Sequence, residues 1–427
     1  MERLLVLLQT AISIFSFVSM GFLGYQVLMA LFCFQKRKKR TAQPENQKIH
    51  RFAIVTSARN EAAVIGHLAD SLVGQNYPRD CFDVYIIADN CTDDTARVAQ
   101  EHGAIVKVRN DMTKVGKGHA LKWIFDIIQN ERPNAYDAYC IFDADNLAHP
   151  DYLSAMNYQL CCGVEMAQGY RDAKNPSDSW VSGAYAIYFW CLSRFFFLPR
   201  DNMGVSCVAN GTGFMFRASL IADGGWNTST ITEDTEFSIQ QILKGKKVVF
   251  VEDAIFYDEQ PTEFQQSMRQ RYRWAVGNMQ CLVAYLPRML KYAWQNRSFS
   301  SLDAGMILLM GPCTALTVLN MIFSALQAWV MDFTIPQMLI TGGIPLLLTF
   351  LVMMLQGLLT VVLEKKSVRA VYKGILGWPL FLYSAMAIFV AALFARKVEW
   401  KPIRHTQGVS LEHVVGAASA PQDMDLE

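Results

Sequence analysis

Five consecutive residues carry side chains suited to binding a phosphate and a sugar: Gln270-Arg271-Tyr272-Arg273-Trp274. The flanking pattern predicts a helix, in which Gln270, Arg273 and Trp274 stand at i, i+3 and i+4 and share one face. That face would present an amide, a planar guanidinium and a flat indole. The same residues also fit an amphipathic helix with solvated arginines and a core tryptophan, so residues upstream must decide between the two.

Two carboxylates occupy alternate positions of a predicted extended segment, Asp143-Ala144-Asp145. They would lie on one side of the chain and repel each other, which favours a hard cation with oxygen ligands, such as Mg2+ or Mn2+. A metal ion held there could bridge the phosphates of a nucleotide and neutralise a departing diphosphate.

A candidate general base stands at the start of a helix that we predict from Thr232-Glu233-Asp234 to about Lys244. Asp234 could take a proton from an attacking hydroxyl within hydrogen-bond reach. Capping is the alternative, because the helix dipole favours acidic residues in a first turn. The glycine-bearing turn at 114–119 is a suitable anion site at a helix start, although it lacks the GxxxxGK[ST] spacing of a phosphate-binding loop.

These residues belong to a region of alternating strand and helix patterns between residues 50 and 300. Short apolar runs predict strands at 52–56, 84–88, 104–108 and 138–142, and helical spacing follows the first three. The alternation predicts an α/β domain with a mostly parallel sheet, and such sheets bind ligands beyond the carboxyl ends of their strands. Polar clusters stand there, at 57–61, 89–95 and 143–146. Each alone fits turn and helix-cap chemistry, but three on one sheet edge indicate a site.

The apolar residues are concentrated at the two ends of the 427-residue chain. Residues 4–34 carry no charge, which exceeds the roughly 20 residues that span a bilayer. Five basic residues follow at 36–40, so the positive-inside rule predicts that they and the following domain are cytoplasmic. With 39 Lys and Arg against 38 Asp and Glu, the overall charge gives no indication of a nucleic-acid partner.

Toward the C-terminus, a predicted interfacial helix at 275–292 precedes three uncharged stretches at 304–331, 333–363 and 374–395, each long enough to span. We expect four crossings in all. The last would put Arg396, Lys397, Lys401 and Arg404 outside, against the charge rule, unless one apolar stretch does not cross. The predicted units are an anchor (1–35), a basic linker (36–49), a soluble domain (50–274), an interfacial region (275–302), about three transmembrane helices (303–395) and a polar tail (396–427).

In chain order, the motifs Asp89, Asp143-Ala144-Asp145, Thr232-Glu233-Asp234 and Gln270-x-x-Arg273-Trp274 resemble those of membrane-embedded family 2 glycosyltransferases, such as cellulose, chitin-oligosaccharide and hyaluronan synthases. The resemblance covers about residues 50–285. It implies a GT-A type, Rossmann-like α/β cytoplasmic domain inserted between transmembrane helices. It further implies a nucleotide-diphosphate sugar donor, a divalent cation (Mg2+ or Mn2+) and inversion at the anomeric carbon.

On the donor side, the resemblance implies that Asp89 helps to hold the nucleoside and that Asp143 and Asp145 engage the diphosphate and metal ion. Lys117 matches a lysine near the donor. Many relatives carry two acidic residues where this chain has Asp89-Asn90.

The resemblance also makes Asp234 the catalytic base, with Glu233 beside it. Arg273, with Gln270, would reach the donor diphosphate, and Trp274 would stack on the acceptor sugar.

The expected activity is membrane-bound, processive elongation of a β-linked polysaccharide from a UDP-glucose or UDP-N-acetylglucosamine type donor. An extension of this hypothesis is that the product passes through the protein's own helices. The residues Asn210-Gly211-Thr212 match an acceptor-side loop. A second hypothesis is transfer of one sugar to a lipid-linked acceptor, and a third is a non-catalytic transporter or scaffold, against which the intact acidic motifs argue. We expect an integral, multi-pass protein of a plasma or inner membrane.

Overall fold

The computed structural model describes residues 2–35, 40–41, 48–395 and 408–414. Most of the predicted basic linker and polar tail, including the four basic residues between 396 and 404, lies outside these ranges. The strands are β1 (Phe52–Ala58), β2 (Phe82–Asp89), β3 (Ile105–Arg109), β4 (Ala138–Asp143), β5 (Leu147–Ala148), β6 (Met166–Ala173), β7 (Phe214–Arg217) and β8 (Val248–Asp258). The helices are α1 (Glu2–Leu31), α2 (Ile65–Val73), α3 (Thr95–Glu101), α4 (Lys117–Glu131), α5 (Tyr152–Cys161), α6 (Trp180–Leu192), α7 (Leu198–Asn202), α8 (Glu233–Ile242), α9 (Phe264–Asn296), α10 (Phe299–Leu308), α11 (Met310–Val330), α12 (Ile335–Met338), α13 (Ile344–Leu363) and α14 (Val368–Leu393).

The eight strands form a mixed sheet in the order β3-β2-β1-β4-β7-β6-β8-β5. The four strands predicted from the sequence, β1 to β4, are parallel neighbours. Strand β7 pairs antiparallel with both β4 and β6. The predicted α/β domain is therefore confirmed. The strands after β4 include antiparallel neighbours, whose directions the alternation of strands and helices in the sequence does not determine.

Both faces of the sheet are covered, which is why its central strands are almost continuous apolar runs. Successive residues of β1 alternate between two cores. Ala53 and Val55 pack in the core that contains residues of α4 and α6, whereas Phe52 and Ile54 pack with residues of α2 and α5. The carboxyl ends of β1, β2 and β4 consequently meet at one edge, and their terminal polar residues lie close together.

Within the described residues, five helical segments are long and apolar enough to cross a membrane by length and composition: Leu5–Phe34, Trp180–Asn202, Met310–Val330, Ile335–Leu363 and Val368–Leu393. The first and third pack together, with the Phe15 and Phe323 ring centroids 5.7 Å apart. The second contains α6, an apolar helix that the sequence patterns did not single out, and it is mostly buried inside the protein.

Helix α9 carries the predicted 270–274 segment and continues through the boundary predicted after residue 274. The side chain of Arg271 points away from the other motif residues and donates from Nη1 to the carbonyl of Phe381 (2.8 Å) and from Nη2 to Ser384 Oγ (2.8 Å). Its guanidinium also stacks on the Phe381 ring. Arg271 therefore anchors α9 to α14.

A fully buried ion pair joins the domain to the helices on either side of it. Arg200 donates from Nε and Nη2 to the two carboxylate oxygens of Asp303 (2.7 and 3.0 Å), and both side chains are 0% exposed. Tyr25 of α1 donates its hydroxyl to the same carboxylate (2.5 Å). Removing one partner would leave an uncompensated buried charge, so this cluster fixes α1 and α10 against α7.

Candidate functional site

A cavity of about 490 Å³ opens at the carboxyl ends of β1, β2 and β4. All the site residues predicted from the sequence line it except Thr212, and these are Asp89, Lys117, Asp143, Asp145, Asn210, Gly211, Glu233, Asp234, Gln270, Arg273 and Trp274. The structure thus brings together residues that are up to 185 positions apart in the sequence. Further lining residues include Arg59, Glu61, Arg171, Tyr188, Asp258 and Asn278.

Asp89 is buried at the end of β2 and is held by a cation from the neighbouring strand. Arg109 faces Asp89 in the β2–β3 register and donates from Nη1 to its Oδ1 (2.6 Å), while the Asn90 amide donates to the same oxygen (2.9 Å). Arg109 was not among the predicted site residues, although its position directly after the predicted third strand (104–108) was a usable signal.

Lys117, the first residue of α4, connects three parts of the site. Its ammonium forms an ion pair with Asp143, donates to the carbonyl of Gly211 (2.6 Å) and lies 4.0 Å from Glu233 Oε1. Burial acts to lower the pKa of Lys117, but attraction from Asp143 and Glu233 outweighs it and the pKa is raised. Lys117 therefore stays charged among carboxylates.

The Asp143–Asp145 turn is built around the fully buried Asn146. Its amide nitrogen donates to Asp145 Oδ1 (3.2 Å) and to Asp258 Oδ1 (2.7 Å), and its carbonyl oxygen accepts from the Asp143 N–H (3.2 Å). Thr212 donates its hydroxyl to that same oxygen. Thr212 thus lies behind the cavity wall and supports it, where the sequence analysis expected a residue of the acceptor loop.

Asp258, at the end of β8, is an additional carboxylate that the sequence analysis missed. Arg171 of β6 binds it from Nε (3.0 Å) and Nη2 and stacks on the Phe189 ring at 3.8 Å. Burial raises the pKa of Asp258 to about 6, with Arg171 opposing and Asp145 adding to the rise. A polar run after an apolar one, Asp258-Glu259-Gln260, was the available signal.

Glu233 and Asp234 occupy the first turn of α8, as predicted. Burial raises the pKa of both carboxyls. For Asp234, the N–H groups of Thr235 and Gly211 and the charge of Lys117 offset only part of that rise. Gly211 adopts φ +77°, a conformation that suits glycine, and this turn of the backbone is what brings its N–H to Asp234.

The predicted helical face of Gln270, Arg273 and Trp274 turns toward the cavity. Gln270 accepts a hydrogen bond from the Tyr185 hydroxyl (2.9 Å), and Trp274 lies edge-on to Tyr185 and Phe189, with centroids 6.3 and 6.2 Å apart. Arg273 lines the cavity without a hydrogen bond or ion pair to any residue in the described ranges. Its guanidinium is therefore available to an anionic ligand.

A close backbone approach fixes this face relative to α8. A methyl group at Gly277 would lie 2.5 Å from Thr232 Cγ2 and 3.0 Å from the Thr232 nitrogen. Only glycine allows α9 to pass so near the residue before Glu233 and Asp234. The distance between the Arg273 side of the cavity and Asp234 consequently depends on this contact.

The donor atoms on the cavity wall fit a divalent cation that arrives with a phosphate ligand. In the part of the chain that the structure describes, no three His, Cys, Asp or Glu side chains are arranged to hold a metal ion by themselves. Mg2+ is commonly bound by one or two carboxylates together with substrate phosphates and water. Asp143 and Asp145 are such a pair, on the same cavity wall.

Comparison with known proteins adds to this geometry. The family model described as glycosyltransferase like family 2 matches residues 50–277, more than half of the chain. A β-monoglucosyldiacylglycerol synthase of Nostoc sp. is 29% identical over 249 residues, which cover 56% of this chain and 51% of that protein. A poly-β-1,6-N-acetyl-D-glucosamine synthase of Staphylococcus aureus is 25% identical over 238 residues, covering 52% and 53%. The chain thus spans about half the length of the curated relatives it matches.

A solved structure extends the likeness beyond this region. A mannosyltransferase of Pyrobaculum calidifontis, in complex with GDP-Man and Mn2+, matches with a TM-score of 0.62 at 16% identity, covering 91% of this chain and 100% of that one. At this identity the likeness establishes the fold. Because residues 50–277 are only about half of the chain, the shared fold includes helices outside them.

We expect Asn146→Ala to lower the free energy of unfolding by about 1–3 kcal/mol, because it leaves the buried Thr212 hydroxyl without its acceptor and removes the amide donor from the Asp145 and Asp258 carboxylates. Thermal unfolding in detergent measures the change. Asn296→Ala is the matched control, since that amide is exposed and bonds only to the Tyr292 carbonyl of its own helix. Equal stability of the two variants would contradict the central position given to Asn146.

Proposed function

The chain belongs to glycosyltransferase like family 2, and on that premise we propose that it is an inverting, membrane-bound enzyme that transfers a hexosyl group from a UDP-sugar of the UDP-glucose or UDP-N-acetylglucosamine type to an acceptor hydroxyl. The observation that carries the proposal is the cavity itself. It combines the guanidinium of Arg273, which has no partner among the described residues, with the carboxylate pair Asp143 and Asp145 and the buried carboxyl of Asp234.

On the donor side, Asp89 binds the nucleoside and Asp143 and Asp145 hold the metal ion and diphosphate. The bound Mg2+ or Mn2+ supplies charge neutralisation for the leaving diphosphate. Arg273 binds the same diphosphate, with Gln270 beside it, because a guanidinium presents several donors in a plane to phosphate oxygens. Support for the metal ion comes from the Pyrobaculum calidifontis structure of the same fold, which contains Mn2+ and GDP-Man.

The transfer needs one base and one departing group. Asp234 accepts the proton of the acceptor hydroxyl as its oxygen bonds to the anomeric carbon, and the bond from that carbon to the diphosphate breaks. Attack opposite the leaving group inverts the anomeric configuration. Arg273 and Lys117 stabilise the negative charge that develops on the diphosphate. Glu233 stays next to Lys117 and helps keep it charged.

On the acceptor side, the indole of Trp274 offers a rigid apolar surface for a sugar ring. Tyr188 lines the same cavity, and so do Asn210 and Gly211 of the predicted acceptor loop. Trp274 and Tyr188 both pack near α14, through Tyr185 and Phe381. The acceptor therefore binds on the side of the cavity that adjoins the apolar helices.

Two kinds of acceptor fit this arrangement: the end of a growing polysaccharide and a lipid. Processive elongation of a β-linked polysaccharide is supported by the Gln270-x-x-Arg273-Trp274 motif beside apolar helices and by the Staphylococcus aureus relative. Transfer of one sugar to a lipid acceptor is supported by the Nostoc relative, a glycolipid synthase by name, at slightly higher identity. Product mass separates them: a ladder of hexose additions indicates elongation, and a single addition that partitions into organic solvent indicates the lipid acceptor.

Purified protein with a panel of UDP-sugars and Mn2+ should release UDP, and Asp234→Asn should lower kcat by about 10²–10⁴-fold, the usual contribution of a general base. Asp223→Asn, an exposed carboxylate on the same domain, is the control and should keep normal turnover. Absence of UDP release with every donor, or normal turnover by Asp234→Asn, would refute the proposed reaction.

The pH dependence of the rate should reflect the burial of Asp234. The base works only when ionised, so activity is lost as the pH falls through its pKa, and burial moves that loss to higher pH than for an ordinary aspartate. Lys117→Gln removes a cation that favours the carboxylate, so the acid limb of the residual activity should move higher still. The exposed Lys122, on the same helix, provides the control Lys122→Gln, and an unmoved limb in both variants would argue against Asp234 as the base.

Substitutions of Arg273 and Trp274 should have different kinetic effects, although both side chains lie on one face of α9. Arg273→Ala should raise KM for the donor or lower kcat by about 10–100-fold, as expected for losing a charge-assisted contact, while the exposed Arg269→Ala should not. Trp274→Ala should raise KM for the acceptor and leave donor binding nearly unchanged. Trp294, on the same helix and 88% exposed, supplies the control Trp294→Ala. Equal loss of donor and acceptor binding in Trp274→Ala would contradict acceptor stacking and indicate that the Trp274 side chain has a purely structural role.

A further inference from the structure

The loop before α14 is bound to the catalytic domain. Lys366 donates to Asp172 Oδ2 of β6 (2.5 Å), and the Trp190 indole donates to the other oxygen of that carboxylate (2.8 Å). Glu364 accepts from the Tyr170 hydroxyl (2.6 Å) and from Arg194 Nε (2.5 Å). The chain therefore enters α14 on the side of the bilayer where the domain lies.

The segment after α14 is bound to the same domain. Val409, Leu411 and Val414 pack in one cluster with Leu147 of β5 and Tyr257 of β8. A methyl group at Gly408 would lie 3.1 Å from the Ala63 carbonyl oxygen, just ahead of α2. Residues on both sides of α14 consequently contact the catalytic domain.

The chain between the end of α14 and Gly408 is too short and too polar to recross a bilayer. If α14 crossed, residues 394–407 would have to return through a hydrocarbon core of about 30 Å, which takes about 20 residues as a helix. An extended, unpaired backbone is not tolerated there. Five of these residues are charged: Arg396, Lys397, Glu399, Lys401 and Arg404.

Helix α14 also packs against the domain along its length. Near its start, a methyl group at Gly374 would lie 2.5 Å from the backbone of Gly183 in α6. In the middle, Arg271 binds the Phe381 carbonyl. Toward its end, Ile388 and Ala392 share a buried cluster with Ala275 and Val276 of α9.

The length of an apolar helix does not by itself decide whether the helix crosses the bilayer, as α6 shows. The strands that flank it, β6 and β7, are hydrogen-bonded neighbours in the sheet. A helix whose two ends lead into adjacent strands of one sheet cannot cross a bilayer, although α6 with its extension meets the same length and composition criteria as α14.

We infer that α14 lies in the plane of the membrane surface, and that the chain crosses the bilayer three times, at α1, α11 and the α12–α13 segment. The face of α14 opposite the domain is an exposed apolar stripe, with Tyr372 51%, Leu376 58% and Leu380 53% exposed, and Phe394, directly after the helix, is 79% exposed. We assign this stripe to the lipid surface, because the neighbouring α11 and α13 are the membrane spans. An in-plane helix with one apolar face is the usual form of such contact.

This arrangement removes the conflict in the charge pattern. With three crossings, Lys365, Lys366, Arg369 and the basic residues after α14 lie on the same side as the basic residues 36–40, as the positive-inside rule requires. Helix α14 packs against α9, so in this arrangement the surface-bound helix supports the helix that carries Arg273 and Trp274.

Protease-site insertions in the full chain test the topology independently of any activity. One site follows Glu427, one lies in the turn between Asp332 and Phe333, and one follows Asn134 in an exposed loop of the domain. In sealed membrane vesicles of known orientation, we expect the Glu427 and Asn134 sites to be cut from one side and the Asp332 site from the other. Cleavage of the Glu427 site together with the Asp332 site would overturn the inference.

A matched pair of charges tests the in-plane position itself. Leu355→Arg puts a charge in the middle of α13, where the side chain is 63% exposed, and should lower the amount of correctly inserted protein about tenfold or more. Leu380→Arg on the α14 stripe should leave insertion nearly unchanged, because its side chain reaches the headgroup layer. An equal loss in both variants would contradict the in-plane position of α14.

Discussion

Repulsion among carboxylates gathered at one sheet edge is the constraint on which the rest of this structure depends. Asp89, Asp143, Asp145, Glu233, Asp234 and Asp258 all line one cavity. Such a group can be buried only where each charge has a partner or a proton. Arg109 satisfies Asp89, Lys117 satisfies Asp143, and Arg171 satisfies Asp258. Arg273 has no such partner in the described part of the chain, so its charge in the cavity suits an anionic ligand.

The same arrangement connects the cavity to the apolar helices. Along β6, side chains alternate between the two faces of the sheet, so Arg171 reaches the cavity while Tyr170 and Asp172 reach the loop before α14. On α9, Arg271 binds α14 while Gln270, Arg273 and Trp274 face the cavity. A displacement of α14 would therefore be transmitted to both walls, through rigid elements with few intervening contacts.

Much of the site could be predicted because its residues obey local rules. The strands β1 to β4 are apolar runs that end in polar residues, and the i, i+3, i+4 spacing of Gln270, Arg273 and Trp274 survives in α9. The residues that sequence reasoning missed act through pairing across strands. Arg109 matters because the β2–β3 register sets it beside Asp89, and Asp258 matters because Arg171 of the paired strand β6 binds it. Thr212 was predicted as part of the acceptor loop, and the structure buries it behind the turn that holds Asp143.

The sequence by itself determined the α/β class, the sheet edge where the cavity opens, the motif residues and the presence of apolar helices, because these follow from periodicity and residue type over short distances. Only the tertiary structure decided which cation neutralises which carboxylate, since those pairs depend on strand register. It also decided that α6 lies within the domain, and it supplied the anchors on both sides of α14. Composition measures how well a helix tolerates lipid, whereas crossing depends on where the flanking residues are bound, and that information is spread over the whole fold.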